Sequence, residues 1–550
     1  MKEVTVEAEG GHGHHGGAAQ GGGGGVGRGG STTTGSSRPD LQNSAMKILR
    51  ARDGYNNTNN NNGGSSYEEV GEKPSRFEVF GWYLYEFCFY FVQTVVIPIL
   101  FPLIISQLQH LPTNSLQQWS KNHQDLHCSQ KELHLYIKLT SKTIGGSSYS
   151  ALEWTSIGWA TGLALAVPIL GFLSFHLDGH FPKLITAAAT GLGVFFCLPA
   201  GFFKSTAIFI PYIIGIVAAS TVASAAHTQH LGLMIRAFTG PSLKRSQFSI
   251  RQGVSSWLNL YGTAAGFLGS ALISAFIYHM IGELKVTERD IMSLWVVSIF
   301  SGLIWLVGIL HIFTALDRTS DSISFSSKFH PFSIFKYPHA IGGLAGVFLS
   351  SFATMSIFTG GVLFIVGELC IKPLHLLLFW LTYFLFPLVS LPLLQPMQHL
   401  IKMNSVKLQI VGFLLSLFAS GFGFYFGHSH WKWGHLVVFG AIQSTATGIL
   451  HAFGRVLVLD CAPSGKEGAF SIWYAWMRAA GLCVGFAVGS VAPGHIRTSF
   501  GVAFCTAIIA IVVLLFGNIS DIGGAAAAGH VKDDLDRGSP VADTKDSSRV

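Results

Sequence analysis

The chain has 550 residues, of which 49% are hydrophobic and only 11% charged, with 43 Phe and 12 Trp; soluble domains carry roughly 25% charged residues. So little polar surface cannot face water on all sides, and most of the exterior must face lipid. A formal charge of +7 without a long basic run excludes a nucleic-acid groove, and soluble enzymes are excluded with it.

Residues 1–78 come first in chain order and follow a different rule. GGHGHHGG at 10–17, GGGGG at 21–25 and NNTNNNN at 56–62 leave few apolar side chains. Burial there cannot offset the entropy of ordering, so a disordered tail is expected. The first spanning helix, rather than a cleaved leader, is expected to serve as the targeting signal.

From residue 79 onward, apolar stretches recur at the length that crosses a hydrocarbon core of about 30 Å, roughly 20 residues at 1.5 Å each. They fall at 79–105, 151–174, 184–203, 206–231, 254–281 and 292–315, then at 340–367, 374–396, 408–427, 434–457, 468–491 and 498–517. The first six make a bundle over 79–315, a polar loop follows at 316–339, and six more fill 340–517. A second disordered tail is expected over 518–550. The prediction is an all-α membrane protein with twelve transmembrane helices in two six-helix halves, the layout of a two-halved transporter. Apart from the long first loop, eleven Lys and Arg fall in loops on the side of the N-terminus and six on the other side. Both termini are therefore expected in the cytosol.

Charges inside spanning segments mark a transport path, because each costs about 2.5–3.5 kcal/mol at a helix centre. Arg478 lies ten residues beyond Gly468 in SIWYAWMRAAGLCVG. A guanidinium at that depth suits bidentate recognition of a carboxylate, or else a structural ion pair. Glu86 sits two turns into the first helix, with Gln93 seven residues later on the same face. Burial favours the protonated form of a carboxylate, so Glu86 is the candidate for proton coupling, or a partner for a neighbouring helix such as Arg478. Asn259 and Gln443 are candidates for substrate contact or for hydrogen bonds between helices.

The turn between the second and third helices reads PILGFLSFHLDGHFPKLI, residues 168–185. Gly171 would let helices approach, Asp178 would cap a helix or accept a charge-assisted hydrogen bond, Gly179 would shape the turn, and Lys183 would offer a cation. These four are the candidate gating residues. There is no phosphate-cradling Gly-x-x-x-x-Gly-Lys, and no cofactor or metal is expected.

This turn resembles the signature loop of the major facilitator superfamily. GWYLYE at 81–86, GAIQ at 440–443 and APSGKEGAF at 462–470 resemble one branch of it, the vacuole effluxers linked to autophagy. Together the stretches bracket residues 79–516. Where that pattern has a cluster of arginines after Asp-x-Gly, this chain has His180, Phe181, Pro182 and Lys183, and its helix-one acid is Glu86 rather than Asp. The resemblance implies a non-enzymatic secondary transporter working by alternating access. Its implied solute is an amino acid and its implied host a vacuolar or other endomembrane, while the proton as coupling ion rests on Glu86. The residues alone leave open a facilitator for an inorganic anion, sugar or metal complex, and a non-transporting receptor or scaffold.

Overall fold

The computed structural model describes residues 72–108, 130–140, 149–179, 181–201, 205–282, 291–316, 331–367, 369, 371, 373–426, 431–491, 493 and 495–532. Twelve apolar helices dominate these residues. The first half contains α1 Arg76–Leu108, α2 Ala151–Leu177, α3 Pro182–Cys197, α4 Thr206–Thr239, α5 Phe248–Gly282 and α6 Leu294–Thr314. The second contains α7 Pro338–Gly367, α8 His375–Ile401, α9 Ser405–Tyr425, α10 Trp433–Asp460, α11 Glu467–Val491 and α12 Ile496–Phe516. Eleven are long and apolar enough to cross a membrane; α3 is the shorter one. Its 16 residues rise about 24 Å, and the 3-10 turn Leu198–Gly201 extends it by about 8 Å, enough to span.

Local chemistry sets several helix starts. Ser75 accepts a hydrogen bond from the Glu78 amide at the head of α1. Ser150 and Glu153 form a reciprocal capping box at the head of α2, and Asn404 caps α9. Within α1 the backbone widens into π-helical turns over Val92–Leu100. Pro98 lies inside them and cannot donate a backbone hydrogen bond, which disrupts the regular ladder.

Within the first half, α1 packs on α5, and α2 and α3 pack on α4. Within the second, α7 packs on α11 and α12, and α9 packs on α10 and α12. The halves meet where α2 and α4 face α11 and where α5 faces α8 and α10. Trp159 of α2 meets Phe486 of α11 there, ring centroids 5.6 Å apart. Large apolar side chains such as Phe172, Phe195, Leu400 and Phe516 point outward, as a lipid-facing surface requires.

The C-terminal segment departs from expectation. Residues Asp521–Ala527 form a short helix, and β2, Val531–Lys532, pairs in parallel with β1, Leu243–Lys244, in the α4–α5 connection. The cause is local polar satisfaction. Asp521 accepts from Gln252 Nε2 at 2.5 Å, Asn404 Nδ2 at 3.3 Å and the Ser405 amide at 3.2 Å. The small residues of this segment permit close docking, with Ala525 fully buried. The tail expected from 518 therefore begins no earlier than 533. Residues 1–71 and 533–550, and most of the central loop (317–330), lie outside the described residues.

Candidate functional site

α1 presents Glu86 and Gln93 on one face, and each receives an arginine from the second half. Glu86 pairs with Arg455 of α10, both side chains being buried. His227 of α4 also approaches Glu86, Nε2 to Oε1 at 3.3 Å. Arg455 Nη2 lies 3.0 Å from His451 Nε2, and His451 Nδ1 lies 3.3 Å from the Tyr474 hydroxyl. Arg478 of α11 donates to Gln93 Oε1. Aromatic faces cover both cations: Arg455 sits 5.4 Å from the Trp82 ring centroid and Arg478 sits 5.4 Å from that of Tyr90.

Arg478, His451 and Tyr474 line a central cavity with Thr94, Thr354 and Tyr383. Among the described residues no carboxylate lies within ion-pair distance of Arg478. Its hydrogen-bond partner is a neutral amide. A buried guanidinium without a counter-charge is costly, and an anionic guest would supply what is missing.

A second, more polar cavity lies at the end of the bundle that carries Asp178. Asp178, Gly179, Lys183, His230, Arg236 and His311 line it. Asp178 Oδ1 accepts from the Gly468 amide at 2.6 Å, and Oδ2 accepts from the Ala469 amide at 3.3 Å. These are unsatisfied donors of the first turn of α11. Glycine is required at 468 because a Cβ there would stand 2.6 Å from Asp178 Oδ1. Burial, reinforced by the charge of Glu467, pushes the Asp178 carboxyl up to about 8. Two further ion pairs join the halves near this end. Arg236 Nη1 meets Glu467 Oε1 at 2.6 Å, and Arg251 Nε meets Asp460 Oδ1 at 2.9 Å.

Sequence reasoning marked Glu86 and Arg478 as charges inside spanning helices; in the structure each bonds a residue of the other half. Arg455, not Arg478, pairs with Glu86. Asp178, Gly179 and Lys183 share the second cavity. Gly171 does not serve a close approach, since a Cβ there would meet nothing within 4 Å. Asn259 is buried and donates to Ser255 of its own helix at 3.0 Å, away from the central cavity's lining. Gln443 lines a third, apolar cavity next to the central one. Arg455 and His451 were missed, although HAFGR stood inside an apolar span and a charge there was the available signal. Among the described residues no group of three or more His, Cys, Asp or Glu is arranged to hold a metal.

Among solved structures, the chain is similar to the crystal structure of the human organic anion transporter MFSD10 (TETRAN). The two share 13% identity with a TM-score of 0.51, over 80% of this chain and 100% of that chain. This likeness shows the fold alone, the twelve-helix major facilitator fold. No family model and no curated protein matches the sequence. The likeness therefore concerns architecture: a multi-pass membrane protein of two helical halves, with the central cavity at their seam.

Proposed function

We propose that this chain is a secondary active transporter for small carboxylate solutes, amino acids foremost, working by alternating access. One observation carries the reading: Arg478 lines the central cavity with a neutral amide for its partner and, among the described residues, no carboxylate within ion-pair distance. A solute carboxylate completes the charge there in the bidentate geometry that guanidinium favours. The similar human structure is that of an organic anion transporter, which agrees with an anionic solute.

Protons are the proposed coupling ion. A row of titratable side chains runs from the second cavity to Glu86. His230 lies 2.9 Å from Glu78 Oε1, the His230 and His311 rings are 4.7 Å apart, and the His311 and His227 rings are 5.7 Å apart. His227 then reaches Glu86. Protonating Glu86 would release Arg455 and loosen the seam between the halves, so that proton arrival and opening are linked. Asp178, with the two flanking ion pairs, would hold the cytosolic side closed, and Lys183 and Gly179 would shape that gate. Residues 79–315 and 340–517 would rock about the site, with 316–339 as their cytosolic connection. Both termini on the cytosolic side accord with the excess of Lys and Arg in those loops. A vacuolar or other endomembrane rests on the resemblance of residues 81–86, 168–185, 440–443 and 462–470 to vacuole effluxers.

The test is flux of radiolabelled amino acids and other carboxylates in liposomes carrying the purified protein, with and without an imposed pH gradient. Gradient-driven flux, abolished by Arg478→Ala and uncoupled from pH by Glu86→Gln, is expected. Flat traces from well-folded protein across the carboxylate series would overturn the reading.

A further inference from the structure

The central cavity borders the third cavity through two shared side chains, Phe358 and Tyr383. The walls of the third cavity are aromatic. Phe439 stands between Trp431 and Phe500, with ring centroids 5.8 Å and 5.5 Å away. Phe358 packs on Tyr383 at 5.5 Å. Gln443 also lines this largely apolar space, and its side chain is completely buried. Neither its Oε1 nor its Nε2 has a hydrogen-bond partner. Buried amides are almost always satisfied, so an orphan pair of this kind calls for an occupant.

α10 carries Gln443 in line with three residues of the central cavity, which Arg478 of α11 also lines. Gln443, Thr447, Leu450 and His451 follow one another at the spacing of a single helix face. Thr447, Leu450 and His451 line the central cavity, and Gln443 stands about 12 Å from His451 along the axis, eight residues at 1.5 Å each. Thr447 holds the junction, donating to the Gln443 carbonyl at 2.8 Å while its hydroxyl meets that of Tyr383 at 3.4 Å.

We infer that the two cavities form one elongated site for hydroxylated aromatic carboxylates, with the anion at Arg478 and the ring hydroxyl at Gln443. A ring matches the aromatic walls by offset and edge-to-face contacts. A hydroxyl both accepts from Nε2–H and donates to Oε1, and so can meet both orphaned atoms at once. An aliphatic acid would leave the amide unsatisfied, and so would an unsubstituted ring. This inference rests on the carboxylate reading above and narrows it to a substrate class.

The experiment uses the full-length protein in lipid nanodiscs with three probes: acetate, phenylacetate and 4-hydroxyphenylacetate. Affinity is read by competition and by ligand-induced thermal stabilisation. The hydroxylated ring is expected to bind at least about tenfold tighter than the unsubstituted one, because a site built to hydrogen-bond a hydroxyl penalises its absence. Acetate should bind weakest. In Gln443→Met the preference for the hydroxyl should fall below about twofold while affinity for phenylacetate persists. The probe series on the unaltered protein stands alone if that variant misfolds. Equal affinity for all three acids would overturn the inference and leave carboxylate transport intact. So would a hydroxyl preference that survives Gln443→Met, which would leave a bound water as the amide's partner. No binding of any acid, with Arg478→Ala indistinguishable from the parent, would sink the carboxylate reading and this inference together.

Discussion

Glu86 and Arg455, 369 positions apart, form a buried ion pair that joins α1 of the first half to α10 of the second. Removing one partner strands the other charge in an apolar interior, at a cost of about 3–5 kcal/mol. Glu86→Gln and Arg455→Gln are each expected to lower thermal stability clearly. The double variant should lose less than the sum of the two, because neither charge is then left alone. Thermal unfolding of the four proteins in one detergent completes the cycle, and strict additivity would deny the pairing.

How much of this was legible beforehand varies with the kind of signal. Span positions followed from apolar length, a one-dimensional property, and the helices fall where those runs stood. Glu86 and Arg478 could be singled out because an ionisable group in an apolar run is conspicuous by itself. Their partners could not, since pairing depends on which helices meet, and α1 meets α10 only through the folded seam. Arg455 carried the same signal as Arg478 but stood near the end of its expected span, where a cation reads as interfacial. Asp521 gave no signal at all. Its role comes from three donors contributed by α5 and by the start of α9.

Arg478 separates charge from shape. Arg478→Ala is expected to abolish carboxylate flux while the fold persists, as size-exclusion and thermal profiles would report. Arg478→Lys keeps the cation but not the planar fork, and a loss of about tenfold or more in solute affinity is expected. Full activity with lysine would mean that Arg478 acts only as a point charge.

Asp178 predicts a pH limb. Its carboxyl is held up to about 8 when docked on α11, by burial and the neighbouring Glu467, against an ordinary value of 3.8. The docked turn therefore binds a proton that an undocked turn releases between those two values. Docking is most favourable at low pH, weakens as pH rises through this window, and levels off above about 8. Spin labels at Phe181 and Ser464, both exposed, would report the separation of the turn from the start of α11. A shift toward longer distances with rising pH is expected, and Asp178→Asn should remove it. Gly468→Ala should mimic the separated state at every pH, since the added methyl would stand 2.6 Å from the carboxylate oxygen and push it away.

The docked C-terminal segment should respond to pH with the opposite sign. His530 Nε2 donates to the Ala462 carbonyl at 2.7 Å, and burial beside Arg251 lowers the imidazole to about 3 from 6.5. Docked His530 thus stays neutral where a free histidine takes up a proton. Docking is strongest above about 6.5 and is lost progressively as pH falls toward 3. Limited proteolysis after residue 518 should accelerate across that window, and His530→Gln, which keeps a donor but cannot titrate, should flatten the response. The segment ties the α4–α5 connection to α9 and to the end of α10, so it braces both halves at the Asp178 end. Deleting residues 519–550 should therefore lengthen the label distance at neutral pH without touching Asp178. An unchanged distance would mean that the segment rests on a seam already closed by Asp178 and the Arg236 and Arg251 ion pairs.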